Sequence, residues 1–160
     1  LRQHVELNSF GNVTAFRVAL SDHDGSARLY HHPHGPNSFC LGAEPAWSQH
    51  FEEVTTGTLD AFLEQERIDH IDLLKMDVEG AEELVLRGAR SIFATSRPTV
   101  IFEVNPEAAA RLGLRPDGAW KLLGDFGYSY YRLDHACDLS RLDSPPRAGN
   151  VVAIHSAHPL

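Results

Sequence analysis

The stretch IDLLKMDVEGAEELVLRGA, residues 71–89, decides how the rest of the chain is read. Its first eight residues carry apolar side chains on both faces, the pattern of a strand covered on both sides. Gly80 follows at once. Ala81, Leu84, Val85, Gly88, Ala89, Ile92 and Phe93 then recur at helical spacing, which predicts one amphipathic helix of more than three turns. Glu79, Glu82 and Glu83 stand at its start, where the helix dipole favours negative charge. Pro98 interrupts the chain and residues 99–104 (TVIFEV) read as a second apolar strand. Strand, helix and strand in this compass fit a right-handed βαβ crossover.

Outward from that unit, residues 12–20 (NVTAFRVAL) read as a strand preceded by the last turns of a helix over residues 1–9. Residues 21–25 (SDHDG) have turn chemistry, and residues 26–31 alternate well enough for a strand paired back as a hairpin. Residues 32–51 read as a long irregular loop and 53–57 as a short extended piece, with Thr58 a helix N-cap before Leu59, Phe62 and Leu63. On the carboxyl side, residues 118–126 read as a helix ended by Gly127, and 128–133 as an aromatic strand. Residues 134–149 are polar, and 150–155 are a last strand that pairs antiparallel with 128–133.

Chain length and charge narrow the classes. The 160 residues suffice for one domain, 42% are hydrophobic, and 22 acidic against 14 basic residues give a net charge of −8. That balance argues against nucleic acid or an anionic membrane as partner. No apolar run is long enough to span a bilayer. Two cysteines, Cys40 and Cys137, make neither a disulfide framework nor a four-cysteine zinc site, which suits a reducing, cytoplasmic setting. His31, His32 and His34 match no usual zinc spacing. No G-x-G pair, P-loop or nucleophile elbow is present.

The chemistry concentrates at the carboxyl end of residues 71–78. Lys75, Asp77 and Glu79 alternate and so project to one face of the expected strand, and Glu103 stands beside them if the next strand is a parallel neighbour. Open α/β sheets bind ligands at that end of their strands. The plainer explanation is an ion pair of Lys75 with Asp77 or Glu103. A competing enzymatic reading takes Asp77 and Glu79 as an Mg²⁺ or Mn²⁺ pair in a metal-dependent transferase or nuclease.

The segments Thr58-Leu59-Asp60, residues 71–82 with the core K-x-D-V-E-G-A-E, and Val85-Leu86-Arg87-Gly88-Ala89 resemble the FkbM family of S-adenosylmethionine-dependent methyltransferases. Ala19-Leu20-Ser21-Asp22 with Gly25, Phe102-Glu103, Gly127-Tyr128 and Asn150-Val151-Val152 resemble the same family in the same order. The resemblance implies a Rossmann-like class I methyltransferase fold, α/β with a mostly parallel sheet and an antiparallel terminal strand. It implies that 12–20, 71–78 and 99–104 are the third to fifth strands, and that the first two have no counterpart here. The chain is then the C-terminal two-thirds of a methyltransferase domain, lacking the glycine-rich cofactor loop. Its open sheet edge is expected to make it aggregation-prone or an inactive remnant unless those strands are supplied.

S-adenosylmethionine is the cofactor the resemblance implies, with Leu20 and Asp22 at its adenine and Asp77 near the transferred methyl. The implied reaction is O-methylation of a small-molecule or glycan hydroxyl, on a sugar or natural product. Asp77 or Glu79 serves as base, Lys75 orients, and Glu103 faces the substrate.

Overall fold

The structure is a computed structural model that describes residues 2–31, 39–41, 50–133 and 138–158. Its elements, in chain order, begin with α1 (Arg2–Leu7), β1 (Ala19–Leu20), β2 (Gly25–His31), β3 (Phe39–Leu41) and β4 (Phe51–Gly57). Next come α2 (Leu59–Glu66), β5 (Leu73–Lys75), α3 (Glu82–Arg87), α4 (Arg90–Thr95) and β6 (Thr99–Val104). Last are α5 (Pro106–Arg111), α6 (Gly118–Asp125), β7 (Tyr128–Leu133), β8 (Leu139–Leu142) and β9 (Gly149–His155).

The strands form two mixed sheets, ordered β1-β4-β2-β3 and β5-β6-β9-β7-β8. The expected parallel pair is present: β5 runs beside β6 with Lys75 opposite Ile101. The expected antiparallel pair of the last strands is present too, Tyr130 opposite Ala153. A mostly parallel sheet is not what the described strands make. Within the five-stranded sheet β5–β6 alone is parallel, and β9 enters antiparallel between β6 and β7. The hairpin of residues 12–20 with 26–31 is also corrected. Only Ala19 and Leu20 of the first segment are strand, and they pair parallel with β4, which separates them from β2.

The helix expected over residues 81–93 is two helices, and the reason is local. A Cβ on Gly88 would stand 2.2 Å from the Ser21 carbonyl oxygen, so the turn after β1 presses on the chain here. Asp60 on α2 then caps α4, its carboxylate accepting from the backbone N–H of Ser91 (2.8 Å) and Ile92 (3.1 Å). Thr58 caps α2 as the sequence indicates, Oγ1 accepting from Ala61 N–H at 3.1 Å. These caps tie the four-stranded sheet, through α2, to the helices that follow β5.

The core lies between the five-stranded sheet and α2, α3, α4 and α6. Val100, Phe102 and Val104 of β6 point into it, with Val85, Leu86, Phe93, Leu123 and Val151. Phe93 packs against Phe126 and Tyr128, ring centroids 5.5 and 5.9 Å away. The buried Tyr128 hydroxyl donates to Pro98 O (2.8 Å) and that of Tyr130 donates to Trp120 O, so both buried phenols are satisfied. No described helix is long and apolar enough to cross a membrane.

Candidate active site

The strand that carries the candidate residues is shorter than its hydrophobic pattern. β5 stops at Lys75, and Met76 N–H still reaches Ile101 O at 2.8 Å before the chain leaves the sheet. Asp77 and Glu79 therefore sit on a connecting turn, and the alternation of a strand does not place them on one face. Glu79 is left-handed (φ 52°), as is Gly80 (φ 96°). A Cβ on Gly80 would come within 2.5 Å of the Ala108 carbonyl carbon, so α5 is seated directly on this turn. A left-handed glutamate costs of order 1–3 kcal/mol, and such residues concentrate at functional sites.

The turn nevertheless gathers the four side chains. Lys75 Nζ is 3.5 Å from Asp77 Oδ2 and donates to Met76 O at 3.0 Å. Asp77 is open, its side chain 70% exposed, so the ion pair itself stabilises the fold little. Glu103, one strand over on β6, feels all three. Its carboxyl is pushed up from the ordinary glutamate value, by burial first and then by the charges of Glu79 and Asp77; Lys75 and a hydrogen bond from Asn105 pull it partly back.

Two further acids belong to this region, and the sequence reading placed them merely at a helix start. Glu82 is 4% exposed and Glu83 6%. Burial raises the pKa of Glu82, against the pull of backbone N–H groups, and its Oε1 accepts from Val78 N–H at 3.4 Å, bracing the turn. Glu83 Oε1 pairs with Arg87, while Oε2 is enclosed without a hydrogen-bond partner among the described residues. A Cβ on Gly118 would stand 1.8 Å from that oxygen, so the carboxylate lies flat against the start of α6. The signal was available: Glu82 is one turn before Val85 and Leu86, on the buried face of the same helix.

Leu20 ends β1 and Asp22 lies in the bend beyond it. Asp22 Oδ1 is 2.7 Å from His23 Nδ1 and accepts from Ser21 Oγ at 3.4 Å, and His23 holds its carboxyl below the usual aspartate range. Thus Leu20 and Asp22 stand at the carboxyl end of one sheet's strand, and Lys75, Asp77, Glu79 and Glu103 at the carboxyl ends of β5 and β6 in the other. Among the described residues no three His, Cys, Asp or Glu side chains are grouped to hold a metal ion. His32, His34, Cys137 and the side chain of Cys40 lie outside the described residues.

A parallel β5–β6 pair flanking a helical crossover and an antiparallel β9 inserted beside β6 define an α/β protein, with charged groups gathered at the carboxyl ends of β5 and β6. The family model described as Methyltransferase FkbM domain matches residues 4–130. The chain belongs to that family, and is a methyltransferase by family. No curated protein and no solved structure matches the chain beyond chance.

Proposed function

We propose that the protein is an S-adenosylmethionine-dependent O-methyltransferase acting on a hydroxyl of a sugar or natural product. The observation that carries the reading is the gathering of Lys75, Asp77, Glu79 and Glu103 at the carboxyl ends of β5 and β6, in a chain of the FkbM methyltransferase family. The residues present fit the cofactor's adenosine end. Asp22, held ionised by His23, is the acceptor that an adenine amino group or a ribose hydroxyl requires, and Leu20 adds an apolar neighbour. The outer edge of β5 has no neighbour among the described strands, and Leu73 on it is 55% exposed.

When bound, S-adenosylmethionine supplies an electrophilic methyl on a sulfonium. Asp77 would take the proton of the acceptor hydroxyl, whose oxygen would receive that methyl to give a methyl ether, with S-adenosylhomocysteine as the by-product. Lys75, 3.5 Å from Asp77, fixes the position of that carboxylate against the acceptor hydroxyl. Glu79 and Glu103 accept from neighbouring hydroxyls and fix the acceptor's orientation.

The test is a titration of the protein with S-adenosylmethionine, followed by detection of S-adenosylhomocysteine with a panel of polyhydroxylated acceptors. Cofactor binding and hydroxyl-dependent turnover support the reading. Saturable binding of a nucleotide sugar that depends on Mn²⁺, without S-adenosylmethionine binding, overturns it.

A further inference from the structure

Beside the turn at Asp77 and Glu79 lies a small cavity of about 20 Å³, room for a group the size of one water, lined among others by Glu82, Glu83, Glu103, Asn105, Arg115 and Trp120. Its charges do not balance. Arg115 is committed to Asp117, 3.1 Å away, and Lys121 is 2.5 Å from the same carboxylate. Lys75 is held by Asp77 and Arg87 by Glu83 Oε1. Glu82 receives backbone N–H groups and, among the described residues, no cation. The wall contains the enclosed Glu83 Oε2 without a partner, on a residue 6% exposed. One face of the Trp120 indole is stacked on Tyr130, centroids 3.7 Å apart and planes 19° from parallel, which fixes the ring in place.

We propose that this cavity receives a protonated amine carried by the methyl acceptor, so that the acceptor is an amino sugar or amino alcohol; this rests on the methyltransferase reading above. An ammonium has three donors and a full charge in a water-sized volume. It supplies what the wall lacks: a donor for Glu83 Oε2, a counter-charge for Glu82 and Glu103, and a cation for the face of an immobilised indole. A neutral hydroxyl meets only the first of these needs, and an anion meets none. Glu103 belongs both to this wall and to the cluster with Asp77, so an amine seated here brings the adjoining hydroxyls of its own molecule toward Asp77.

Calorimetric titration with glucosamine and with N-acetylglucosamine isolates the amine, since ring and hydroxyls are shared. Glucosamine is expected to bind about tenfold more tightly, the effect of one desolvated cation contact. Glu83→Gln and Glu103→Gln are each expected to cut that preference by about threefold or more. Glu83→Gln breaks the Arg87 pair, so its fold is checked by thermal melting; Glu103, less buried, gives the second, independent reading. Equal affinity for the two sugars, or a preference that survives both substitutions, overturns the proposal. Binding of S-adenosylmethionine is titrated separately. Its failure counts against the methyltransferase reading, while the sugar titrations still decide the cavity's preference for a cation.

Discussion

The turn between β5 and α3 and the aromatic end of the five-stranded sheet lie a few residues apart on β6, and they handle polar groups in opposite ways. At the aromatic end every buried phenol has its acceptor, Tyr128 on Pro98 and Tyr130 on Trp120, and rings pack edge to face around Phe93. At the turn Glu83 Oε2 has none, Glu103 is crowded by two other acids, and Glu79 holds a left-handed backbone. Unsatisfied charge and strain lower stability, and the aromatic end supplies what they cost. The comparison teaches where folding and chemistry are separated: β6 serves both, burying Phe102 on one face and offering Glu103 on the other.

Two substitutions break the comparison if it is wrong. Phe93→Ala removes a ring that is 1% exposed and is expected to cost about 3–5 kcal/mol, read by urea unfolding. Asp77→Asn, at an open side chain, is expected to leave that unfolding curve within about 0.5 kcal/mol and to lower methyl transfer by about 10²–10⁴-fold. A destabilised Asp77→Asn protein, or one with undiminished turnover, denies the division.

Glu79 sharpens it. In Glu79→Gly the left-handed strain disappears, and the gain exceeds the added chain entropy by about 1 kcal/mol. The melting temperature rises while affinity for the acceptor falls, because the carboxylate beside Glu103 is gone. A variant that loses stability shows instead that the Glu79 side chain holds the turn.

The parts of this division legible in the sequence were those governed by local periodicity. The β5–β6 crossover, the Thr58 cap and the antiparallel β7–β9 pair follow from alternation and capping residues, and the structure has them. What failed was set by contacts distant in sequence. Residues 12–18 are apolar enough for a strand, yet only Ala19 and Leu20 find a ladder partner, on β4. The break at Gly88 depends on Ser21, and the second helix start on Asp60, some thirty residues upstream. α5 carries a local signal of its own, Asn105 Oδ1 accepting from Ala108 N–H with Pro106 in the first turn. The candidate cluster follows the end of β5 on a turn, not on the strand face that alternation implies. Lys75, Asp77 and Glu79 meet because a strained turn folds them back toward Glu103.

The smallest effect separates burial from catalysis within the turn itself. Glu82 is raised above its ordinary value of 4.5, chiefly by burial, so the native chain keeps a proton that the unfolded chain has released. Over that interval the folded state binds more protons, and stability must fall as pH rises from the ordinary glutamate value through the native one. Glu103 is raised too and adds to the same slope, whereas Asp22 and Asp117, the latter lowered to about 2, change stability only at lower pH. Glu82→Gln keeps an oxygen to accept from Val78 N–H and removes the titration. Its melting temperature is therefore expected to fall less than the parent's as pH rises above the ordinary glutamate value, leaving the part of the slope that belongs to Glu103. An unchanged slope would mean that Glu82 is ionised in the fold and that the turn already carries its full negative charge.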